Sequence, residues 1–398
     1  MKIKLGVIFG GMSDWQKIKL GELYEVHNGL SKGRQFFGTG FPFLTFSNVF
    51  NNWFLPDQLE SLVQTTDKER EACSIKAGDV FITRTSETMD ELGMSSVALK
   101  DYPNATYNGF TKRLRPITNR VNPRYIGYYL CTPKFRGQFM AFSSMTTRAS
   151  LANNDLLNME VELPSMEIQH RIATILSRYD SLIENYQKQI KLLEEAAQRL
   201  YKEWFVNLRF PGHESTNIVD GVPEGWEKKK VGELIAKVPR SKQIPTKDYQ
   251  KEGVIPIIDQ SRDYIAGYTD DMESKVESNE PYIVFGDHTR ILKYVPFPFA
   301  KGADGTQLIM SNNLVLMPQC LLFTSLVNVD LSNYSYARHF KYLKEEEILV
   351  PTASIANVFS KHVGKWYAKI QQNRYQLRLL TEARDRLLPK LLSGEIEV

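Results

Sequence analysis

The chain has 398 residues, of which 42% are hydrophobic and 24% are charged. This composition excludes a disordered or collagen-like chain, and the length favours two or three domains over one. Its 3 cysteines are far apart and form no Cys-x-x-Cys pair, so neither a disulfide framework nor a thiolate zinc site is indicated, and a reducing cytoplasm fits best. The net charge of +4 permits anionic partners without requiring them, and no apolar run reaches the roughly 18 residues that a membrane span needs.

Two segments of the chain repeat each other. Residues 15–23 (WQKIKLGEL) return as residues 226–234 (WEKKKVGEL). A period this long indicates domain duplication rather than an array of short repeats. Short apolar runs bounded by Gly, Pro, Asn and Asp follow each copy, a pattern typical of strands and turns. We therefore predict two mixed, sheet-rich domains built on one plan.

The segment after each predicted domain has a helical period. Apolar residues recur at steps of three and four from Ile168 and again from Ile355, which predicts a long helix with a narrow coiled-coil seam in each half. A helix of about 40 residues is about 60 Å long, and so narrow a seam needs a partner. We predict that the two helices pair antiparallel and that Pro389 kinks or ends the second one. The residues predicted to pair the helices are Ile172, Tyr179, Tyr186, Leu193, Leu200, Trp204, Phe359, Trp366, Leu380 and Leu387.

These patterns define the expected fold class. It is α+β, with two mixed, sheet-rich domains separated by two long antiparallel coiled-coil helices and related by a pseudo-twofold axis. The expected segments are an N-terminal extension at residues 1–14, a first domain at 15–163, a central long helix at 164–210, a linker at 211–225, a second domain at 226–350 and a C-terminal long helix at 351–398.

The sequence lacks the motifs of common enzyme classes. It contains no Gly-x-x-x-x-Gly-Lys-Ser/Thr phosphate loop and no Asn/Asp-Pro-Pro-Tyr/Phe run of the kind that amino-methyltransferases use. The 6 histidines are scattered without a His-Glu-x-x-His pair, so solvated histidine is a better explanation than a metal site. We therefore expect no catalytic residues, no metal ligands and no cofactor in this chain.

Mixtures of basic, amide and hydroxyl side chains occur in both predicted domains. Arginine and lysine bind phosphates or guanine, and asparagine or glutamine holds adenine through two hydrogen bonds. Most surface basic residues are merely solvated, and each domain is near charge balance, so a basic face has to come from the arrangement of these residues. The candidate DNA-binding residues are Arg84, Thr85, Ser86, Asn108, Lys112, Arg113, Arg148, His288, Thr289, Arg290, Lys293, Lys301 and Gln307.

Several motifs together resemble the specificity subunits of Type I restriction-modification systems. The resemblance extends over nearly the whole chain from about Trp15. It rests on the two opening motifs, on residues 163–176 (LPSMEIQHRIATIL), 200–205 (LYKEWF), 285–290 (FGDHTR) and 387–392 (LLPKLL). The second helix departs from the pattern, because the usual Pro-x-x-x-x-Gln junction is residues 351–356 (PTASIA) here.

The resemblance implies a function for the whole chain. It implies a non-catalytic, cytoplasmic subunit with two target recognition domains, each reading one half of a bipartite site in double-stranded DNA. The implied partners are two modification subunits that bind S-adenosylmethionine and methylate adenine, and restriction subunits that use ATP and Mg²⁺. If the half-sites lie about one DNA turn apart, roughly 34 Å, the paired helices are long enough to set the spacer between them.

Two other interpretations remain open at the level of sequence. In the first, the sheet-rich domains bind proteins and the helices only dimerise, which makes the chain a protein-interaction scaffold. In the second, the chain is itself a nuclease or a methyltransferase. Salt distinguishes the first from a DNA reader, because counterion release makes DNA affinity fall steeply with salt concentration.

Overall fold

The structure, a computed structural model, describes residues 15–86, 91–142, 149–334 and 338–398. Its contacts divide the chain into two compact units. The first unit ends at Ile183 and is completed by Leu379–Val398, and the second unit is Glu184–Arg378. Each of the two long helices, Met166–Tyr201 and Ala353–Leu392, therefore contributes residues to both units. The predicted extension at residues 1–14 lies outside the described residues.

The first unit contains two main sheets and two strand pairs among its described residues. The four-stranded sheet has the order Tyr24–Asn28, Thr111–Pro116, Val80–Thr83 and Ser95–Val97, and all its neighbours are antiparallel. The three-stranded sheet has the order Leu62–Val63, Phe37–Leu44 and Thr106–Tyr107. The strand pairs are Gln16–Lys19 with Glu160–Leu163, and Thr85–Ser86 with Ala149–Ser150.

The second unit has the same kind of composition. Its five-stranded sheet has the order Gln243–Ile244, Phe299–Gly302, Ile255–Ile258 and Gly267–Thr269, with Lys275–Val276 also paired to Phe299–Gly302. Its three-stranded sheet has the order Leu292–Val295, Tyr282–Gly286 and Thr306–Ile309. The strand pairs are Glu227–Lys230 with Glu347–Val350, and Ile218–Val219 with Val222–Pro223.

The helices surround these sheets. The α-helices of the first unit, apart from the long ones, are Leu20–Leu23, Phe46–Asn51, Asp67–Ala72, Pro123–Leu130, Pro133–Phe142 and Asn153–Asn158. Those of the second unit are Val231–Leu234, Gln319–Val327 and His339–Glu345. A π-helical turn, Lys202–Val206, follows the first long helix directly.

The repeated opening motif forms the same structure in both units. Gln16 pairs with Leu163 in the first unit, and Glu227 pairs with Val350 in the second, so the strand of each opening motif is antiparallel to the last strand of its globular segment. The leucine or valine that follows each opening strand is fully buried, at Leu20 and Val231. The opening motif therefore joins the beginning of each globular segment to its end.

Within the first unit, the two long helices are joined by a partly buried ion pair. Arg384 on the second long helix donates a hydrogen bond to the carboxylate of Asp180 on the first at 2.9 Å. Its guanidinium group also lies 4.5 Å from the ring centre of Trp53. The side chain of Arg384 is 16% exposed and that of Asp180 is 26% exposed, so solvent screens this pair only in part.

We expect Arg384→Ala to lower the free energy of unfolding of the first unit by about 2 kcal/mol, between the costs of breaking exposed and fully buried pairs. Urea unfolding of the full chain measures this. Arg386→Ala is the matched control, because Arg386 is 73% exposed in its pair with Glu382, and a loss under about 0.5 kcal/mol is expected. Equal losses in the two variants would show that the Asp180 pair adds no stability of its own.

Within the second unit, the long helices run antiparallel. Arg374 donates to the carboxylate of Glu194 at 2.8 Å, and the ring centres of Phe359 and Phe205 are 5.2 Å apart. Residues later in the first helical segment therefore contact residues earlier in the second long helix, which is the antiparallel arrangement. Phe359 is fully buried, and its ring also lies 5.7 Å from that of Trp204. The structure thus brings Trp204 and Phe359, two of the predicted pairing residues, into contact.

The other predicted pairing residues differ in burial. Ile172 is 1% exposed in the core of the first unit, which the end of the second long helix also enters. The partly buried members of the predicted set are Tyr179, Tyr186, Leu193, Leu200, Trp366, Leu380 and Leu387.

Of the two outcomes expected at Pro389, a kink or an end of the second long helix, the structure excludes the end. The helix continues through Pro389 to Leu392. Proline lacks a backbone N–H, so the helix loses the hydrogen bond that this position would donate to the carbonyl four residues earlier, and the neighbouring bonds carry the helix past it. The carbonyl of Pro389 still accepts a hydrogen bond from the N–H of Ser393 at 3.0 Å.

The different helix junctions of the two halves have a structural explanation. In the first unit, the side chain of Gln169 is 1% exposed and donates to the carbonyls of Arg120 and Pro164, both at 3.0 Å. Its oxygen accepts a hydrogen bond from the N–H of Asn122 at 2.9 Å. The equivalent position in the second unit is Ala356, which is fully buried among apolar residues. The glutamine thus satisfies backbone groups in the first unit, whereas the second unit buries a small apolar side chain there.

Candidate nucleic-acid interface

The motif at residues 285–290 forms a tight hairpin turn in the second unit. A Cβ atom at Gly286 would lie 2.2 Å from the hydroxyl oxygen of Thr289, so only glycine fits there. The neighbouring Asp287 is 4% exposed, and its carboxylate accepts a hydrogen bond from the N–H of Phe340 at 2.8 Å. These two residues of the motif therefore fix the turn.

The same turn displays three of the predicted DNA-binding residues. His288, Thr289 and Arg290 are all exposed. The Thr289 hydroxyl donates to the carbonyl of Gln260 at 2.7 Å, and the Arg290 guanidinium donates to the carbonyl of Tyr334 at 3.1 Å. Arg290 has a φ of 62°, a left-handed conformation that is uncommon outside glycine. The hairpin tip is thus ordered by its own contacts and remains open to a partner.

A cleft of about 500 Å³ lies in the second unit beside this hairpin. We call it the basic lobe, because its ionisable lining side chains are both cations and none is an acid. Its lining residues are Val238, Pro239, Arg240, Ser241, Gln243, Lys301, Gln307 and Leu308.

A second cleft, of about 390 Å³, shares Gln243 and Gln307 with the basic lobe. We call it the hairpin lobe. It brings His288 together with Gln307, two predicted residues that are far apart in the sequence. Its lining residues are Gln243, Asp287, His288, Asp304, Gly305, Thr306, Gln307 and Arg338.

Strand pairing places the amide and basic side chains of the basic lobe together. Gln243 is the register partner of Lys301 in a parallel pair, and Gln307 lies on the neighbouring three-stranded sheet opposite Phe285. Lys301 is partly buried, and this burial lowers the pKa of its ammonium group. Desolvation of a charge without a paired acid disfavours the charged form, so an anionic ligand would relieve the cost.

In the first unit, two of the predicted residues, Arg84 and Asn108, meet at one loop, residues 108–111, which we call the Phe110 loop. The side chain of Asn108 accepts a hydrogen bond from the N–H of Phe110 at 2.6 Å, which closes the turn. The backbone N–H of Arg84 donates to the carbonyl of Phe110 at 3.0 Å, and Phe110 itself is 57% exposed. An exposed aromatic ring on a loop that also holds an asparagine and bonds to an arginine backbone is a combination that suits DNA.

Three predicted residues are buried, and their contacts lie within the protein. Arg113 is 2% exposed and donates to the carbonyl of Ser74 at 2.6 Å. Lys112 is 5% exposed and donates to the side chain of Asn153, and burial lowers its pKa, with the positive charge of Arg84 adding to the effect.

Lys293, in the second unit, is 4% exposed and donates to the carbonyl of Asp263. Burial lowers its pKa, whereas the nearby carboxylate of Asp259 opposes that shift. Because a DNA contact requires access, we correct the prediction for Lys112, Arg113 and Lys293 and leave them out of the candidate interface. Lys112 and Arg113 are neighbours on one strand and point to opposite faces, so both faces of that strand are covered, which the sequence pattern did not reveal.

The remaining predicted residues lie at the edge of the described structure. Thr85 is the register partner of Ser150 and is partly buried. Ser86 lies on the same strand, next to the gap at residues 87–90, and its side chain is outside the described residues. Arg148 also lies outside the described residues.

Sequence reasoning missed Arg240, Ser241 and Gln243. They follow a short helix in a segment without a recognisable motif, and only the register pairing of Gln243 with Lys301 brings them to the cleft. The clustering of basic and amide residues at positions 240–243 (RSKQ) was the available signal.

Within residues 15–86, 91–142, 149–334 and 338–398, no group of three or more His, Cys, Asp or Glu side chains is placed to hold a metal ion. No helix within the described ranges combines the length and apolar character needed to cross a bilayer.

Two globular segments with matching first and last strands, together with the exposed hairpin and the basic cleft of the second unit, define a duplicated recognition protein suited to nucleic acid. The family model described as Type I restriction modification DNA specificity domain matches residues 12–195. The chain is similar to the specificity subunits of Type I restriction-modification systems, which recognise DNA target sequences. The resemblance inferred from the motifs is therefore confirmed, and the scaffold alternative is not favoured.

Full-length relatives support this assignment. The chain is 28% identical to the Type I restriction enzyme MjaIX specificity subunit of Methanocaldococcus jannaschii, over 97% of this chain and 94% of the relative. It is 22% identical to the HindI specificity subunit of Haemophilus influenzae, over 97% of this chain and the whole of that one.

The fold is that of a solved specificity subunit. The crystal structure of the S subunit of a Type I restriction-modification system from M. genitalium superimposes with a TM-score of 0.62 at 15% identity, covering 98% of this chain and 99% of that one. The predicted α+β class with long helices is confirmed.

Proposed function

We propose that this chain is the non-catalytic recognition subunit of its complex and that each unit reads one half of a bipartite site in double-stranded DNA. The observation that carries the proposal is the duplication, because the same strand pairing encloses a globular segment twice, at Gln16 with Leu163 and at Glu227 with Val350. Two globular segments of the same plan but with different surface residues would recognise a DNA site whose two halves differ in sequence. The Phe110 loop and the two lobes of the second unit are the proposed contact surfaces.

The proposed partners are two modification subunits and the restriction subunits of a cytoplasmic complex. S-adenosylmethionine would bind to the modification subunits, and ATP and Mg²⁺ to the restriction subunits. Support comes from the names of the full-length relatives, which are specificity subunits of restriction enzymes. Co-purification of the tagged chain with its modification subunit tests the stoichiometry by mass, and a one-to-one complex would contradict the proposal.

We further propose that the length of the long helices fixes the spacer between the half-sites. Both helices contribute to both units, so any change in their length acts on both readers. Continuous α-helix is a suitable spacer, because it extends by 1.5 Å per residue with little freedom to compress.

We expect the affinity of the complex for DNA to fall by a factor of roughly 10³ or more between 50 mM and 200 mM salt, because binding of several phosphates releases condensed counterions. Fluorescence anisotropy with a labelled duplex measures the slope. A scrambled duplex of equal length is the control that separates specific from non-specific binding. An affinity that is nearly independent of salt would instead favour the protein-scaffold interpretation.

A further inference from the structure

We propose that the basic lobe of the second unit binds one phosphodiester group of the DNA backbone. This inference rests on the proposed function and names the ligand of one part of the interface. The polar side chains that meet in this lobe are Arg240, Ser241, Gln243, Lys301 and Gln307. All five present hydrogen-bond donors, and two of them carry positive charge. A phosphodiester is anionic and offers only acceptors, so it complements this set.

The cations of the basic lobe are not neutralised within the protein. Among the described residues, neither Arg240 nor Lys301 has an acidic partner within ion-pair distance. Lys275 lies in the same sheet, on a strand paired with the strand of Lys301. Unlike Lys301, it is neutralised, because its ammonium group lies 2.6 Å from the carboxylate of Glu277. Of these two lysines, only Lys301 is partly buried, and this burial lowers the pKa of its ammonium group. Proteins rarely leave such a cation unpaired unless a ligand pairs it.

A hydroxyl group in the lobe points to the same ligand. The Oγ atom of Ser241 is inaccessible to solvent and has no hydrogen-bond partner. A buried hydroxyl without a partner costs free energy, and a phosphate oxygen in the lobe would remove that cost. The side-chain amides of Gln243 and Gln307 likewise make no hydrogen bond to any residue that the structure describes. These donors are therefore available together.

The chemistry favours a phosphate over a base edge at this position. The two cations and the Ser241 hydroxyl match the acceptor oxygens of a phosphate, and only the amides of Gln243 and Gln307 could also match the donor and acceptor of an adenine edge. The acids of the neighbouring hairpin lobe, Asp287 and Asp304, lie outside the basic lobe's lining. Contact with a phosphate positions the domain on DNA and carries no sequence information of its own.

The test uses the full complex with two duplexes, one carrying the sequence that this system methylates and one scrambled. Lys301→Met is expected to weaken binding of both duplexes by the same factor, roughly tenfold, and to reduce the slope of log affinity against log salt by about 1. Ser241→Ala is a second variant that should not impair folding, because its hydroxyl has no partner to lose. It is expected to weaken both duplexes equally, by a smaller factor.

Lys275→Met is the matched control, since it removes the same charge from the same sheet at an acid-paired position. It is expected to leave the salt slope nearly unchanged. An unchanged slope for Lys301→Met would overturn the phosphate site, as would a loss confined to the methylated sequence. If the unaltered complex itself binds DNA without salt dependence, the proposed function fails, and that outcome is distinct from failure of this site.

Discussion

Replacing Phe359 by alanine is expected to lower the free energy of unfolding of the second unit by about 3–5 kcal/mol. Phe359 is fully buried, and its ring contacts those of Tyr201, Trp204 and Phe205 at 6.4, 5.7 and 5.2 Å. Removal of a ring from such a site loses its transfer free energy and leaves a cavity that three large neighbours fill only in part. Because the cluster joins the two long helices within the unit, urea unfolding is expected to show a large shift in midpoint.

Tyr375→Ala on the same helix is the control for this prediction. Tyr375 is 53% exposed, so its loss is expected to cost less than about 1 kcal/mol. A similar small loss for Phe359→Ala would mean that the aromatic cluster does not hold the helix pair together.

Shortening both long helices is expected to shorten the DNA spacer. We would delete residues 181–187 from the first long helix and residues 377–383 from the second. One heptad is lost from each, so the seam keeps its register, and the ion pair of Arg384 with Asp180 is retained on one side of the cut. On the other side, the hydrogen bond from Asn373 to Gln189 is retained as well.

The expected result is a spacer that is about three base pairs shorter, because seven helical residues span about 10 Å and a base pair about 3.4 Å. Sequencing of methylated adenines in cells that express the variant with its modification subunit measures the spacer and both half-sites together. Deletion from only one helix is the control, because it shifts the register of the pair and should abolish methylation. A full-length spacer in the double deletion would show that the helices do not set the distance.

Repetition and periodicity predicted much of the fold. The pairing of Gln16 with Leu163 and of Glu227 with Val350 explains why the opening motif recurs, since each copy closes one unit. The strands at residues 80–83 and 282–286 lie where short apolar runs indicated them. The sequence left two outcomes open at Pro389, because a proline inside a helix removes one hydrogen bond and either kinks the helix or ends it, and the structure excludes the end.

The candidate interface was less predictable, because it depends on which strand faces the rest of the fold covers. Lys112 and Arg113 were equally plausible DNA contacts in sequence, yet both are buried in the structure and donate to partners inside the protein. The basic lobe combines Ser241 and Gln243 with Lys301, and no local pattern in the sequence connects residues so far apart. Their meeting is a consequence of sheet register, which a single sequence does not specify.

The most direct test of a chain with two independent half-site readers is a domain exchange. Residues 226–350 would be replaced by the corresponding segment of a related specificity subunit, and methylated adenines would be mapped for the complex in cells. The account predicts that one half-site changes, while the other half-site and the spacer stay as they are. A change in both half-sites would contradict it, and so would no change in either.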